Sequence, residues 1–256
     1  MAAILNKKIL MLHGYAQSQE IFRSKTGGLR KALEKLGYEL YYPQGPLEIE
    51  HVDYGSGNDD NELAVNGKTD RHGWWRRDAT GFFTIKQATL DYLHDYIIDK
   101  GPFEGVIGFS QGAALAGYLC TDVRGILGLT SDMQPDFKFL VNFSGFKLEP
   151  EIYAAKFKEP LKIPSLHVVG ELDTIVLQER TMALYDACHV DSRTLLKHTG
   201  GHFVPNSKNF VAKVTNWLKC MNAEPSSVPK TVVPKTTSRS GPQSDLLDIM
   251  ASLDIK

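Results

Sequence analysis

The sequence lacks the features that mark several specialised classes of protein. It contains only three cysteines, an odd and widely spaced set: Cys120, Cys188 and Cys220. Such a set argues against a disulfide framework or a zinc site and is typical of a reducing compartment. The formal net charge is −1, so we expect no nucleic-acid partner and no attraction to an anionic membrane surface. The longest uncharged run, residues 105–121, contains four glycines. It suits a buried strand and helix better than a membrane span, and we expect no stable membrane insertion.

The remaining composition is that of an ordinary globular protein. The chain has 256 residues, of which 42% are hydrophobic and 23% are charged. This is enough for one α/β domain with a full core. No long apolar region precedes the first apolar run at residue 8, so we expect no secretory signal. These observations predict a cytoplasmic protein that can also be nuclear.

Short apolar runs alternate with segments of helical period along most of the chain. The runs predict strands over residues 8–12, 38–42, 106–109, 136–143, 163–169 and 193–197. The helical segments cover residues 24–36, 85–100, 113–119, 179–187 and 207–221. This alternation predicts an α/β fold with a mostly parallel sheet of about six strands and helices on both faces. A ligand site is then expected at the carboxyl ends of the strands.

Two segments break this alternation. Residues 44–80 are irregular, and a connection of this length in a compact domain is functional or disordered. It ends near Trp74 and Trp75, which either pack the connection onto the body or wall an apolar substrate pocket. With Phe146 and Phe203, they are the candidate pocket residues.

The second break comes near the end of the chain. More than half of residues 222–242 are Pro, Ser or Thr, which predicts a linker or disordered tail after a domain of residues 1–221. Residues 245–256 regain apolar spacing at Leu246, Ile249, Leu253 and Ile255. That spacing resembles a nuclear-export signal, which would bind a protein partner. A short solvated helix, or one folded back on the domain, is the alternative.

The strongest motif surrounds Ser110. Gly108 and Gly112 place this serine in Gly-x-Ser-x-Gly, between an apolar run and a helix of small residues. This pattern predicts a nucleophile elbow, a sharp turn that lifts one hydroxyl above the sheet. An ordinary turn is the alternative. Ser144 also follows a predicted strand, but its surroundings lack the first glycine of the elbow.

An aspartate and a histidine follow Ser110 in the chain order of α/β-hydrolase triads. Asp173 follows the fifth predicted strand, and His202 follows the sixth in a Gly-Gly-His loop. A serine hydroxyl needs a base, and the base needs an acid that fixes its tautomer. Glu171 is the alternative acid and His198 the alternative base.

An acyl-transfer site also needs two N–H donors for the oxyanion. The residue after the nucleophile, Gln111, supplies one in this type of fold, and the loop after the first strand supplies the other. Tyr15 is the candidate on that loop. The chemistry requires no metal and no organic cofactor.

Five motifs together resemble the FSH family of serine hydrolases, which is related to the ovarian-tumour-associated hydrolases. They are Leu12–Ser18, Lys25–Arg30, Gly101–Ala113, Phe143–Phe146 and Gly200–Asn206. The resemblance covers about residues 7–221. It implies an α/β-hydrolase fold, carboxylesterase activity on acyl esters, and the triad Ser110, Asp173 and His202. Thioesterase or lysophospholipase-like activity is the close alternative, and a non-enzymatic binding protein on a hydrolase shell is the distant one.

Overall fold

A computed structural model describes residues 7–49, 64–65 and 68–222. The strands of this part of the chain are β1 (Lys7–Leu12), β2 (Tyr38–Tyr41), β3 (Leu47–Glu48), β4 (Ala64–Val65), β5 (Lys68–Thr69), β6 (His72–Gly73), β7 (Gly105–Phe109), β8 (Phe139–Phe143), β9 (Ser165–Gly170) and β10 (Arg193–His198). The helices are α1 (Gln19–Lys25), α2 (Gly27–Glu34), α3 (Gln87–Lys100), α4 (Gln111–Leu119), α5 (Val123–Leu127), α6 (Glu151–Ala154), α7 (Gln178–Asp186) and α8 (Lys208–Asn222), with a short 3-10 helix over Ala155–Phe157.

Six of these strands form one parallel sheet, in the order β10-β9-β8-β7-β1-β2. The two remaining pairs, β3 with β6 and β4 with β5, are two-residue antiparallel pairs within the long connection. The predicted α/β fold and its six-stranded parallel sheet are therefore confirmed. Of the predicted tail, Asn222 is the last residue of α8, and residues 223–256 lie outside the described residues. The role of residues 245–256 therefore stays a prediction.

Alternate residues of the strands face opposite sides of the sheet, and both sides are buried. In β1, Ile9 and Met11 belong to a core cluster with α2 and α8. Leu10 and Leu12 belong to a second cluster with α3 and α4. A parallel sheet must be covered on both faces in this way, because its crossover helices return over the sheet. This explains why the central strands read as continuous apolar runs.

The helix predicted over 24–36 corresponds to α2, and the sequence pattern did not predict α1, which precedes it. Ser18 caps α1 by accepting a hydrogen bond from the N–H of Ile21 at 3.2 Å. Thr26 then separates α1 from α2, and its hydroxyl donates to the Phe22 carbonyl at 2.7 Å. The sequence pattern does not show this break because Thr26 is fully buried and its hydroxyl bonds to the backbone carbonyl one turn earlier, which local periodicity does not reveal.

The strand ends are aligned at the carboxyl edge of the sheet. Phe109 pairs with Phe143, and Phe143 pairs with Val168. Beyond these pairs, the N–H of Ser110 donates to the Phe143 carbonyl at 2.9 Å, and the N–H of Ser144 donates to the Val168 carbonyl at 2.9 Å. The residues that follow β7, β8 and β9 consequently lie side by side. In the described part of the chain, no helix is long and apolar enough to cross a membrane.

Candidate active site

Ser110 occupies a strained turn between β7 and α4. Its φ of 51° and ψ of −116° lie in a region that non-glycine residues rarely adopt, and such strain is concentrated at functional sites. A Cβ at Gly108 would come within 2.5 Å of the Ala113 backbone, and one at Gly112 would overlap the Leu12 carbonyl. Both glycines of the motif are thus required by close packing around the elbow. The geometry is that of a nucleophile elbow.

The loop after β1 lies next to this elbow. A Cβ at Gly73 would lie 2.9 Å from the Tyr15 ring and 3.2 Å from the Gln111 side-chain amide oxygen. Both side chains therefore lie next to Gly73. Ala16, which follows Tyr15, has a φ of 55°. Gln111 is the first residue of α4, where backbone N–H groups have no acceptor within the helix. The structure therefore brings together the two segments in which the oxyanion donors are predicted, the loop after β1 and the start of α4.

Asp173 is held by three hydrogen bonds that divide its two oxygens between two tasks. Oδ1 accepts from the backbone N–H groups of Ile175 at 3.0 Å and Val176 at 2.9 Å. Oδ2 accepts from His202 Nδ1 at 2.8 Å. The backbone contacts fix the carboxylate, and the second oxygen holds the imidazole with its proton on Nδ1. Nε2 is then the nitrogen left to accept a proton.

The environment keeps Asp173 ionised. Its burial raises the pKa, but the hydrogen bonds from His202 and Val176, the charge of His202 and the nearby Ser144 hydroxyl lower it by more, so the pKa lies below the ordinary value of 3.8. The side chain is only 2% exposed. A buried carboxylate that stays charged beside a histidine stabilises the imidazolium form of that histidine.

The loops that carry Asp173 and His202 are joined through their backbones. The N–H of Glu171 donates to the His198 carbonyl at 2.8 Å, and the N–H of Leu172 donates to the Gly200 carbonyl at 3.1 Å. A Cβ at Gly170 would lie 2.5 Å from the Gly201 carbonyl oxygen, so only glycine permits this approach. The two loops therefore form one unit that sets the separation of Asp173 and His202.

The His202 ring lies against the end of β7. Its centroid is 4.7 Å from that of Phe109, the residue before Ser110. His198, the alternative base, accepts the Gly200 N–H through Nδ1 at 3.1 Å and packs on Phe203. Glu171, the alternative acid, is exposed. The structure thus brings His202, and not His198, into contact with both Asp173 and the elbow strand.

The Gln111 side chain has a contact that the sequence does not reveal. Its Oε1 accepts from the Trp74 N–H at 2.8 Å, and its Nε2 donates to the Trp75 carbonyl at 2.9 Å. Since Gln111 also begins α4, it joins the elbow to the end of the long connection. The two adjacent tryptophans are the available signal in the sequence, but the side chain that bonds to their backbone lies 36 or 37 residues away.

His13 is a second residue whose position the sequence does not reveal. Its Nε2 accepts from the Gly45 N–H at 2.8 Å, and its Nδ1 lies 2.7 Å from the Gly14 carbonyl. Burial lowers the pKa of His13 to about 4, so it is neutral and donates from Nδ1. The Trp74 indole donates to the His13 carbonyl at 2.9 Å. His13 therefore fastens the loop after β1 to the long connection.

The four aromatic candidates for a substrate pocket differ in exposure. Trp74 is 0% and Trp75 1% exposed. Trp75 stacks on Phe83 at 5.0 Å and meets the edge of Phe146, itself 7% exposed, at 6.5 Å. Phe203 is 48% exposed. In this conformation only Phe203 offers extensive surface to a ligand, and the pocket role of the four stays a prediction.

Two concavities lie elsewhere on the described surface. One is lined by residues 119–124 and 136–137 with Ile163, and another by Gln19, Glu20, Arg23, residues 40–42 and Tyr96. Neither contains a predicted site residue. Among the described residues, no group of three or more His, Cys, Asp or Glu side chains could hold a metal ion.

Comparisons with known proteins show which family and fold this chain has. Two relatives are similar over nearly their whole length. "Family of serine hydrolases 3" of Saccharomyces cerevisiae is 46% identical over 96% of this chain and 97% of its own. "Esterase OVCA2" of Danio rerio is 33% identical over 83% of this chain and 96% of its own.

Solved structures show the same fold at low sequence identity. The crystal structure of esterase PE8 has a TM-score of 0.57 and 19% identity, over 84% of this chain and 93% of its own. Acyl-protein thioesterase 2 of Zea mays has a TM-score of 0.52 and 19% identity, over 84% of this chain and 94% of its own. The family model described as serine hydrolase (FSH1) matches residues 2–214. The chain therefore belongs to the FSH1 family of serine hydrolases and has the α/β-hydrolase fold.

Proposed function

We propose that this hydrolase is a carboxylesterase that cleaves acyl esters through an acyl-Ser110 intermediate. The hydrogen bond of 2.8 Å between Asp173 and His202, beside the strained turn at Ser110, is the observation that carries the proposal. A buried carboxylate, a neutral imidazole and a serine in this order can perform nucleophilic acyl transfer at neutral pH.

The first half of the reaction forms the acyl-enzyme. Nε2 of His202 takes the Ser110 proton while Oγ bonds to the ester carbonyl carbon, and the carbonyl oxygen becomes an oxyanion. The N–H groups of Gln111 and Tyr15 stabilise that charge, and each such donor is worth about 10²–10³ in kcat. The imidazolium, held by Asp173, then protonates the alkoxide as the C–O bond breaks and the alcohol leaves.

The second half returns the enzyme to its starting state. His202 takes a proton from water, and the hydroxide bonds to the acyl carbon to form a second oxyanion. When this intermediate collapses, the bond to Ser110 Oγ breaks and His202 returns the proton to the serine. The products are a carboxylic acid and an alcohol, and no cofactor takes part.

The surface next to the acid and base is suited to an apolar acyl group. Four large apolar side chains that follow or precede Asp173 and His202 are about half exposed or more: Leu172, Ile175, Leu177 and Phe203. Apolar groups exposed this close to catalytic side chains favour a lipophilic ligand. We therefore expect medium or long acyl chains to be preferred over acetyl esters, and Phe203 to contribute more to that preference than buried Trp74.

A chain-length series of p-nitrophenyl esters, with matched acyl thioesters, tests the activity and the leaving group together. We expect hydrolysis by the wild type and none above background by Ser110→Ala, while Ser131→Ala, which removes an exposed serine, keeps full activity. Faster cleavage of the thioesters would instead assign the chain as an acyl thioesterase. Hydrolysis of neither series by the folded wild type would contradict the proposal and leave a binding protein.

A further inference from the structure

The carboxyl edge of the sheet carries a second strained serine. Ser144 has a φ of 47°, and in the described residues it shares a positive φ only with Ala16 and Ser110 among non-glycine residues. It follows β8, which lies between β7 and β9. Ser144 therefore lies between the strand that ends at the nucleophile and the strand that leads to Asp173.

Several contacts hold this turn in place. The N–H of Ser144 donates to the Val168 carbonyl at 2.9 Å. The N–H of Gly145 donates to Asn142 Oδ1 at 2.8 Å, and a Cβ at Gly145 would lie 2.6 Å from the Ala113 side chain. A residue keeps an unfavourable backbone conformation only where its surroundings determine it, and such residues cluster at functional sites.

The Ser144 hydroxyl is buried without a hydrogen-bond partner. The residue is 1% exposed, and Oγ makes no hydrogen bond of standard geometry. Buried hydroxyls are nearly always paired, so one without a partner needs an explanation. Asp173 follows β9, the strand next to β8. The Ser144 hydroxyl is one of the groups that lower the pKa of the Asp173 carboxyl, against the opposing effect of burial and after the larger effects of His202 and Val176.

We propose that Ser144 is a positioning residue whose buried hydroxyl donates to the Asp173 carboxylate and helps to hold it toward His202. The backbone of Ile175 and Val176 already fixes Oδ1, and Ser144 approaches from the strand between acid and nucleophile. The other ionisable groups that act on this site are His202, which bonds to the carboxylate, and His198, whose pKa burial lowers and the charges of Asp173 and Glu171 raise. The catalytic consequence rests on the proposed esterase activity, but the contact itself does not.

The test removes the hydroxyl and measures the carboxyl directly. Ser144→Gly deletes the hydroxyl and accepts the positive φ without strain. Ser165→Ala is the control, because Ser165 is also fully buried and its hydroxyl also has no hydrogen-bond partner. Ser165 is the first residue of β9, whereas Asp173 follows the last residue of that strand. The ¹³C signal of the Asp173 carboxyl is followed against pH in both variants and in the wild type.

We expect the pKa of Asp173 to rise by about 0.5–1 in Ser144→Gly and to stay unchanged in Ser165→Ala. The value of kcat/KM should fall roughly 10-fold. In the acid limb of the pH–activity profile, the pH at which half of the activity is lost should be higher than in the wild type. Ser144→Cys, of nearly the same shape and with a weak donor, should lie between wild type and Ser144→Gly. It also provides the test if the glycine variant does not fold.

An unchanged Asp173 pKa in the folded variants would overturn the inference, even if they lose activity. It would also be overturned if peptide mapping placed the fluorophosphonate adduct of the wild type on Ser144, since Ser144 would then be the nucleophile. Because the titration needs no turnover, a shifted pKa in a protein without esterase activity would contradict the proposed function and leave this contact intact.

Discussion

Replacing Asp173 by Asn separates the catalytic role of this side chain from its structural role. Asn keeps an oxygen for the N–H groups of Ile175 and Val176, which Oδ1 now accepts at 3.0 and 2.9 Å. It replaces Oδ2, which accepts from His202 Nδ1 at 2.8 Å, with an NH₂ donor. The imidazole then carries its proton on Nε2 and cannot take the proton of Ser110.

The expected loss in kcat follows from that wrong tautomer. We expect kcat to fall about 10³–10⁴-fold, or about 4–5.5 kcal/mol of transition-state stabilisation. The free energy of unfolding at neutral pH should fall by less than about 1.5 kcal/mol, because the two backbone contacts survive. Asp173→Ala removes those contacts as well, and should cost about 1–3 kcal/mol more in stability with a similar loss of kcat.

Steady-state hydrolysis of a p-nitrophenyl ester and urea unfolding measure the two effects. Glu171→Gln is the matched control, because it removes a carboxylate two residues away on an exposed side chain and should leave kcat within about twofold. If Asp173→Asn retained more than a tenth of the wild-type kcat, or Glu171→Gln lost activity as strongly, Asp173 would not be the acid.

Three further predictions concern stability. Ser110→Gly should be more stable than Ser110→Ala by about 1 kcal/mol in thermal unfolding, because glycine adopts a φ of 51° with less strain than alanine does. Equal stability of the two variants would mean that the turn is unstrained. Gln111→Leu should lower the free energy of unfolding by about 2–4 kcal/mol, since it leaves the Trp74 N–H and the Trp75 carbonyl buried without their partner. A loss below about 0.5 kcal/mol, the effect of an ordinary surface change, would show that these two hydrogen bonds do not stabilise the fold. Burial lowers the pKa of His13 to about 4 and that of His167 to about 3, so both stay neutral in the folded state while the unfolded chain gains protons below pH 6.5. The contribution of these histidines to the free energy of unfolding should therefore be fully present above that pH and fall toward pH 4, by up to about 1.4 kcal/mol per pH unit for each histidine. His167→Gln should reduce this slope, measured by urea unfolding at each pH. A free energy of unfolding that stays constant from pH 7 to 4 would contradict this prediction.

The sheet and the elbow could be predicted because their signals are local. The apolar runs of β1, β7 and β8 are continuous since both faces of the sheet are buried. Gly108 and Gly112 mark the elbow in the sequence, because close packing leaves no room for a side chain at either position. Asp173 and His202 could be selected because each follows a strand, and parallel strands end at one edge.

The supporting contacts could not be predicted because their partners are distant in sequence. Gln111 was predicted for its backbone N–H, but its side chain bonds to the backbone of Trp74 and Trp75. The sequence leaves open whether the two tryptophans line a pocket or pack the connection onto the body. Only the structure shows how little of their surface is exposed. The sequence shows Ser144 only as a serine at the end of a predicted strand, because its strained φ and its unpartnered hydroxyl appear only in the folded chain.

The most direct test of the central claim is the site of covalent labelling by a fluorophosphonate. The reagent is incubated with the folded protein, and the adduct is located by intact mass and peptide mapping. We predict one adduct per chain, on Ser110, and none on Ser110→Ala or after denaturation of the wild type. An adduct on another residue, or labelling that persists in Ser110→Ala, would contradict the assignment of Ser110 as the nucleophile.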